Sequence, residues 1–308
     1  MRWLKELDSL FEKLNIYNEK DSSLSRYTTI GIGGLALRLV FPRDLMAFLK
    51  LLRFLADREI PYALLGGGSN LLVSDKGYEG VVISTRALRG VEILSQGETL
   101  RLRALSGTSI NELIRISLQR GYGGFEFLAG VPATLGGAIK MNAGAFGKTT
   151  SSLIRKLELW HDGKILNIEN HDGLWCYRAF KLEGLVLAAE LEFPREDPQR
   201  VKERIKKIWQ KRRFSQPVSS KTFGSVFKNP PCGFAGAMIE QVGLKGLRLG
   251  GAQISEKHAN FIVNTGGAKA EEVLSLMRMA REKVYEVFKI YLEPEVKFLG
   301  FSHENPLD

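Results

Sequence analysis

Ala129-Gly130-Val131-Pro132-Ala133-Thr134-Leu135-Gly136-Gly137, followed closely by Met141-Asn142-Ala143-Gly144-Ala145-Phe146-Gly147, is the stretch on which the fold turns. Eight glycines fall among the 27 residues 121–147. A segment so short of side chains is expected to add little to a core, which leaves its backbone free to run close against something else. Upstream, Gly66-Gly67-Gly68-Ser69-Asn70 separates two apolar runs, Tyr62–Leu65 and Leu71-Leu72-Val73. By itself it reads as a tight turn. Beside the second loop it reads as one of two stretches of bare amides that enclose a single long cofactor, with successive glycine N–H groups around a diphosphate. A third cluster, Gly31-Ile32-Gly33-Gly34-Leu35-Ala36, fits the dinucleotide fingerprint in its letters. The residues before it are polar and those after it strand-like, which is not the strand–turn–helix context the fingerprint needs, so a Rossmann domain is rejected.

Outside the loops, apolar periodicity predicts helices over 2–14, from the Asp44 cap through Leu52, over 109–120, 201–214 and 271–291. It predicts strands at 35–41, 62–65, 71–73, 81–83, 91–94, 100–105, 154–160, 164–168, 185–193, 261–264 and 296–299. Phe193-Pro194-Arg195-Glu196-Asp197-Pro198 reads as a domain linker. The fold class is therefore α+β, with a strand-rich first part and a smaller α+β second part.

A chain of 308 residues fits two domains. Lys and Arg number 44 against 34 Asp and Glu, a charge of +10 that favours anionic partners: nucleic acid, acidic lipid or phosphorylated small molecules. Cys176 and Cys232 cannot build a disulfide framework or a four-cysteine zinc site, and His161, His171, His258 and His303 lie far apart, so no metal is expected. No apolar run is long enough to span a bilayer, and the charged N-terminus is unlike a signal peptide, so a cytoplasmic protein is expected.

The glycine loops belong to a longer ordered set. Thr29-Ile30-Gly31-Ile32-Gly33-Gly34, Gly67-Gly68-Ser69-Asn70-Leu71-Leu72-Val73, Gly130–Gly147, Gly224-Ser225-Val226-Phe227-Lys228-Asn229-Pro230, Leu244-Lys245-Gly246, Gly250-Gly251-Ala252, His258-Ala259-Asn260-Phe261 and Glu293-Pro294-Glu295-Val296 resemble, in that order, the UDP-N-acetylenolpyruvoylglucosamine reductases of peptidoglycan precursor synthesis. The resemblance implies a vanillyl-alcohol-oxidase/PCMH-type FAD-binding domain of two α+β subdomains, about 1–85 and 86–198. A UDP-sugar domain would occupy 199–300, with a tail at 301–308. Covalent-flavin relatives of this fold attach the ring through His or Cys near their glycine loops; residues 1–160 contain neither, in keeping with dissociable FAD.

The implied reaction takes a hydride from NADPH through FAD to the enolpyruvyl ether and protonates the carbon beside its carboxylate, giving UDP-N-acetylmuramate. Charge on the enolate-like carboxylate calls for a fixed cation and aimed donors, and the proton for an acid held over the carbon. By resemblance Ser225 is that acid, Arg178 the carboxylate-binding arginine and Glu295 the glutamate that polarises the enolate or relays the proton. FAD would be held by Gly66, Gly67, Gly68, Ser69, Asn70, Leu71, Gly130, Pro132, Ala133, Thr134, Gly137, Asn142 and Gly144. Tyr177, Lys228, Asn229, His258, Lys297 and Arg213 are the candidate substrate contacts. Without the family pattern, Ser225 reads as a turn serine, Glu295 as a solvated strand residue, and the Lys211-Arg212-Arg213 cluster as a solvated helix face.

Two departures stand out. The family commonly has Ser two residues after the arginine, whereas here Tyr177-Arg178 runs into Ala179-Phe180. One branch closes a tyrosine loop on UDP between arginine and serine; the interval from Arg178 to Ser225 contains no tyrosine, so the chain resembles the branch without it. Two other readings are open: an FAD oxidase of a small alcohol or sugar on the same fold, and a nucleic-acid-binding protein using the +10 charge and the helix Lys202–Arg213 with Trp209. The reductase reading expects a monomer acting on small molecules, with neither nucleic acid nor membrane as partner.

Overall fold

The computed structural model describes residues 2–308, and side-chain caps start three of its helices. The helices are α1 (Arg2–Lys13), α2 (Leu45–Asp57), α3 (Ile110–Gln119), α4 (Leu135–Lys140), α5 (Pro198–Ser215), α6 (Ala235–Gln241) and α7 (Ala270–Phe288). Asp44 accepts from the Ala47 N–H at 2.8 Å and Ser109 from the Glu112 N–H at 3.1 Å, satisfying donors that the first turns of α2 and α3 leave open. The chain falls into two compact units, each discontinuous in sequence. The first comprises residues up to Glu19, Leu39–Gly67 and Val82–Gln210; the second comprises Lys20–Arg38, Gly68–Val81 and Lys211–Asp308. A four-stranded sheet runs in the order Tyr17–Ser23, Leu35–Phe41, Tyr78–Ser84, Tyr62–Leu65. Its first strand, Tyr-Asn-Glu-Lys-Asp-Ser-Ser, has no apolar alternation and was not predicted, because an edge strand is held by main-chain pairing that no side-chain pattern announces.

In the first unit a five-stranded antiparallel sheet has the order Lys164–Glu169, Ile154–His161, Leu185–Pro194, Thr99–Leu105, Val91–Gln96. Leu100, Leu102, Leu157, Leu159, Ala189, Leu191 and Phe193 supply its buried face. On that face lie α3, α4 and a 3-10 turn at Phe125–Leu128. The glycine-rich stretch is thus a correction to expectation: Tyr122, Phe125, Phe127, Leu128, Leu135, Ala138 and Ile139 are all buried in this core. Gly123, Gly124, Gly130, Gly136 and Gly144 occupy points of close approach, and the apolar residues between the glycines face inward. At Gly124 (φ +154°) a Cβ would stand 2.9 Å from Leu153 and 3.0 Å from Phe193.

The linker reading of 193–198 is also corrected. Phe193 is fully buried, Pro194 pairs with Thr99, and Tyr122 bridges Arg195, so the stretch finishes a central strand and leads directly into α5. Pro194 is tolerated because it sits at the strand's last position. The buried carboxylate of Glu126 accepts from the Gly124 N–H and from Arg204 of α5, while Ile205 and Ile208 pack on the core. The basic helix is therefore seated by its apolar face.

The second unit packs α6 and α7 around Ile239, Val273, Leu276, Met277 and Val284. Beside them lies an antiparallel sheet, Arg248–Leu249, Ala252–Ile254, Ile262–Asn264. Asp75 accepts from the Ala270 and Glu271 N–H groups and caps α7. The helix stops at Phe288, short of the predicted 291, where Lys289 adopts φ +58°. Leu71–Val73 pairs in parallel with Lys297–Leu299, joining one glycine loop to the C-terminal strand. Phe193→Ala should lower the stability of the full chain by about 3–5 kcal/mol, read from urea denaturation; a loss under about 1 kcal/mol would show that the strand end is not part of the core.

Candidate active site

Gly66 and Gly67 lie against the second glycine loop inside the first unit. A Cβ on Gly66 would stand 2.6 Å from Thr134 Oγ1, and one on Gly67 only 2.2 Å from the Pro132 carbonyl oxygen. Only glycine permits main chain to approach main chain this closely. Thr134 caps α4 through the Gly137 N–H at 3.4 Å, while Gly136 rests on Ser106. Gly130 (φ +83°) is covered by the ring of Trp209, 2.9 Å from where a Cβ would be. Trp209, the aromatic that a nucleic-acid reading would turn towards bases, is thus a backing for the loop.

The same unit carries Arg178. Trp175–Cys176 and Ala179–Phe180 pair as a hairpin whose two loop residues are Tyr177 and Arg178. Arg178 has φ +60°, a left-handed conformation that strains a side-chain-bearing residue, held here by its Nη1 donating to the Gly144 carbonyl at 3.0 Å. Its guanidinium also lies over the Tyr177 ring, 5.0 Å from the centroid. Asn142 (φ +38°) is buried; its Nδ2 donates to the Cys176 carbonyl at 3.3 Å and its Oδ1 accepts from the Ser151 N–H at 3.2 Å. The Asn142–Gly144 loop therefore positions the arginine hairpin.

The second unit gathers Asn70, Leu71, Ser225, Glu295 and Lys297 into one network, with Ser69 preceding Asn70 in the loop. The Thr29 N–H donates to the Gly68 carbonyl at 2.9 Å while its hydroxyl donates to the Thr222 carbonyl at 2.6 Å. Asn70 Nδ2 donates to the Glu295 carbonyl at 3.0 Å, and the Lys297 N–H to the Asn70 carbonyl at 3.0 Å. The Glu295 N–H donates to the Val226 carbonyl at 2.8 Å, and Ser225 bridges Phe261. Gly224 (φ +86°) makes the bend that presents Ser225. Asn260, buried and not singled out from the sequence, holds Phe227, two residues on, from both sides: Oδ1 accepts from the Phe227 N–H at 2.9 Å and Nδ2 donates to its carbonyl at 2.8 Å. Its only sequence signal is membership of the His258-Ala259-Asn260-Phe261 motif.

Comparison with known proteins gives this geometry a context. Residues 216–299 match the profile described as UDP-N-acetylenolpyruvoylglucosamine reductase, C-terminal domain, and residues 36–169 match an FAD binding domain. A UDP-N-acetylenolpyruvoylglucosamine reductase of Synechococcus sp. (strain JA-3-3Ab) is 42% identical over 289 residues, 92% of this chain and 91% of that protein. One from Caldicellulosiruptor saccharolyticus is 39% identical over 96% of both chains. The chain belongs to the UDP-N-acetylenolpyruvoylglucosamine reductase family. The crystal structure of the Thermus caldophilus enzyme superposes with a TM-score of 0.74 at 33% identity, covering 92% of this chain and 98% of that one.

The fold is thus that of the reductase family, an FAD-binding domain with a C-terminal α+β domain, and its cofactor is FAD. The residues present fit a flavin dinucleotide: glycine loops in which a Cβ would meet backbone, and N–H groups of Gly67 and Gly68 that donate to no acceptor among the described residues. Among the described residues no group of three or more His, Cys, Asp or Glu is arranged to hold a metal, and no helix is long and apolar enough to cross a membrane. Several reductase candidates are engaged within the protein. Lys228 Nζ pairs with Glu293 at 3.0 Å, and Asn229 Oδ1 accepts from the Ala235 N–H at 3.1 Å, capping α6. Arg213 and Lys297 are exposed, as is Tyr177.

Replacing Gly67 with Ala should strip the purified protein of its flavin colour, whereas Gly147→Ala, which meets open space, should keep it. His258 is half-buried, its Nδ1 accepting from the Asn260 N–H at 3.2 Å; desolvation first, then the Lys245 charge, push its pKa below 6.5. The fold therefore favours neutral His258, so its contribution is complete above 6.5 and fades as pH falls through the lowered value. Urea midpoints from pH 7.5 down to about 5 should drop less steeply in His258→Phe than in the parent.

Proposed function

We propose that the chain reduces UDP-N-acetylglucosamine enolpyruvate to UDP-N-acetylmuramate with NADPH, as a cytoplasmic monomer. FAD would be held mainly by residues 1–198 (subdomains about 1–85 and 86–198) and the UDP-sugar by 199–300. The observation that carries this reading is the second-unit network in which Ser225 and Glu295 flank Val226 and Glu295 is pinned to Asn70 of the glycine loop. That the relatives spanning more than nine-tenths of the chain are UDP-N-acetylenolpyruvoylglucosamine reductases supports it.

Gly66–Leu71, Gly130, Pro132, Ala133, Thr134, Gly137, Asn142 and Gly144 would hold FAD, which would supply two-electron chemistry between NADPH and the vinyl carbon. Arg178, its fork set by the strained hairpin, binds the substrate carboxylate and opposes the charge that builds there. The Ser225 hydroxyl gives its proton to the carbon beside that carboxylate. A serine is a weak acid, so the proton moves only because the acceptor carbon has become strongly basic. Glu295 orients the same proton path. The double bond is thereby reduced by one hydride and one proton, and Ser225 regains its proton from solvent. Tyr177, Lys228, Asn229, His258, Lys297 and Arg213 line or support the UDP-sugar path.

In Ser225→Ala, NADPH should still bleach the bound flavin at the parental rate while substrate turnover falls at least ~100-fold, a typical loss for one catalytic group. Stopped-flow that finds both half-reactions unimpaired removes Ser225 from the mechanism. Parental protein that neither carries nor gains flavin overturns the reading altogether.

A further inference from the structure

Arg86 stands on the short 3-10 turn Thr85–Ala87, after the strand Tyr78–Ser84. Its side chain donates from Nε to the Gly66 carbonyl at 3.1 Å and from Nη2 to the Gly67 carbonyl at 2.6 Å. The turn itself is fixed from behind: a Cβ on Gly107 would stand 1.7 Å from the Thr85 carbonyl oxygen, and the Gly107 N–H donates to the Leu88 carbonyl at 2.9 Å. In a trans peptide the N–H points opposite to the C=O that shares its plane. A fork that captures the carbonyls of Gly66 and Gly67 therefore turns the N–H groups of Gly67 and Gly68 the other way. Those are the amides that meet no acceptor among the described residues. A cation on the carbonyl side also polarises each peptide and strengthens its N–H as a donor. The chemistry such a pair recognises is an anionic oxygen, as in a diphosphate.

We propose that Arg86 is a positioning residue that aims the Gly67 and Gly68 amides at the FAD diphosphate and so sets the affinity for the dinucleotide. The inference rests on the reading that this loop holds FAD. Glycine leaves the peptide planes free to rotate, so the loop needs an outside clamp to hold both planes in one orientation.

The test is binding, measured as flavin fluorescence quenching on full-length protein stripped of flavin, with FAD and with riboflavin, which lacks the diphosphate. Arg86→Ala should weaken FAD roughly ten- to a hundredfold, the range for losing hydrogen bonds from a charged donor, while riboflavin affinity stays within about twofold. Arg86→Lys should recover part of the loss, since one ammonium can hold one of the two carbonyls. Equal weakening of FAD and riboflavin, or a collapsed urea midpoint in both variants, would make Arg86 a fold residue and overturn the proposal. If Gly67→Ala loses FAD and Arg86→Ala does not, the clamp is wrong and the loop reading stands. If neither variant affects FAD, the loop reading itself fails and takes the clamp with it.

Discussion

The contact inside one unit between Gly66–Gly67 and Pro132–Thr134, with Gly67 against main chain and Gly66 against the Thr134 hydroxyl, is the constraint from which most of the first unit follows. Two polypeptide backbones reach this separation only if no Cβ intervenes, and they keep it only if something outside the loops fixes both. Thr134 does so on one side by starting α4, which buries Leu135, Ala138 and Ile139 in the core. Arg86 does so on the other side, anchored to a turn that Gly107 braces. The loops are bare of side chains and at the same time tied to a rigid sheet. That combination lets a flexible sequence present fixed amide donors.

The second unit uses another device. Ser225 and Glu295 are distant in sequence and sit in segments too irregular to be read as long strands. They are brought together by main-chain bonds from Asn260 through Val226 to the segment 293–297 and on to Asn70, reinforced by the Asn260 side chain on Phe227 and the Asn70 side chain on Glu295. Each bond is modest by itself. Together they leave the Ser225 backbone little freedom, the kind of placement that the proton-donor role proposed for so weak an acid requires.

Strained and polar positions, where local rules are broken, cluster in the segments proposed to carry function. Arg178, Asn142 and Phe146 all have positive φ, and all lie in or beside the loops assigned to cofactor and substrate. No propensity scale favours Arg at the left-handed position of a two-residue hairpin. The conformation persists because the Gly144 carbonyl and the Tyr177 ring hold the guanidinium from two directions.

The helices with clear caps and apolar stripes, the α+β class and the two glycine loops were legible in the amino-acid order, because caps, periodicity and glycine clustering are local properties. The ordered motifs also pointed to the reductase family and to Ser225, Arg178 and Glu295 as candidates. What the order could not show was anything that depends on who lies opposite whom. The aromatic residues between the glycines of 121–147 turned inward only because a sheet was there to receive them, and Phe193-Pro194, punctuated like a linker, ended a core strand because Thr99 paired with it. Arg86 looked like one surface arginine among many, and Asn260 like one asparagine in a motif. Their partners are 19 and 33 residues away, and only the folded chain brings those partners within a hydrogen bond.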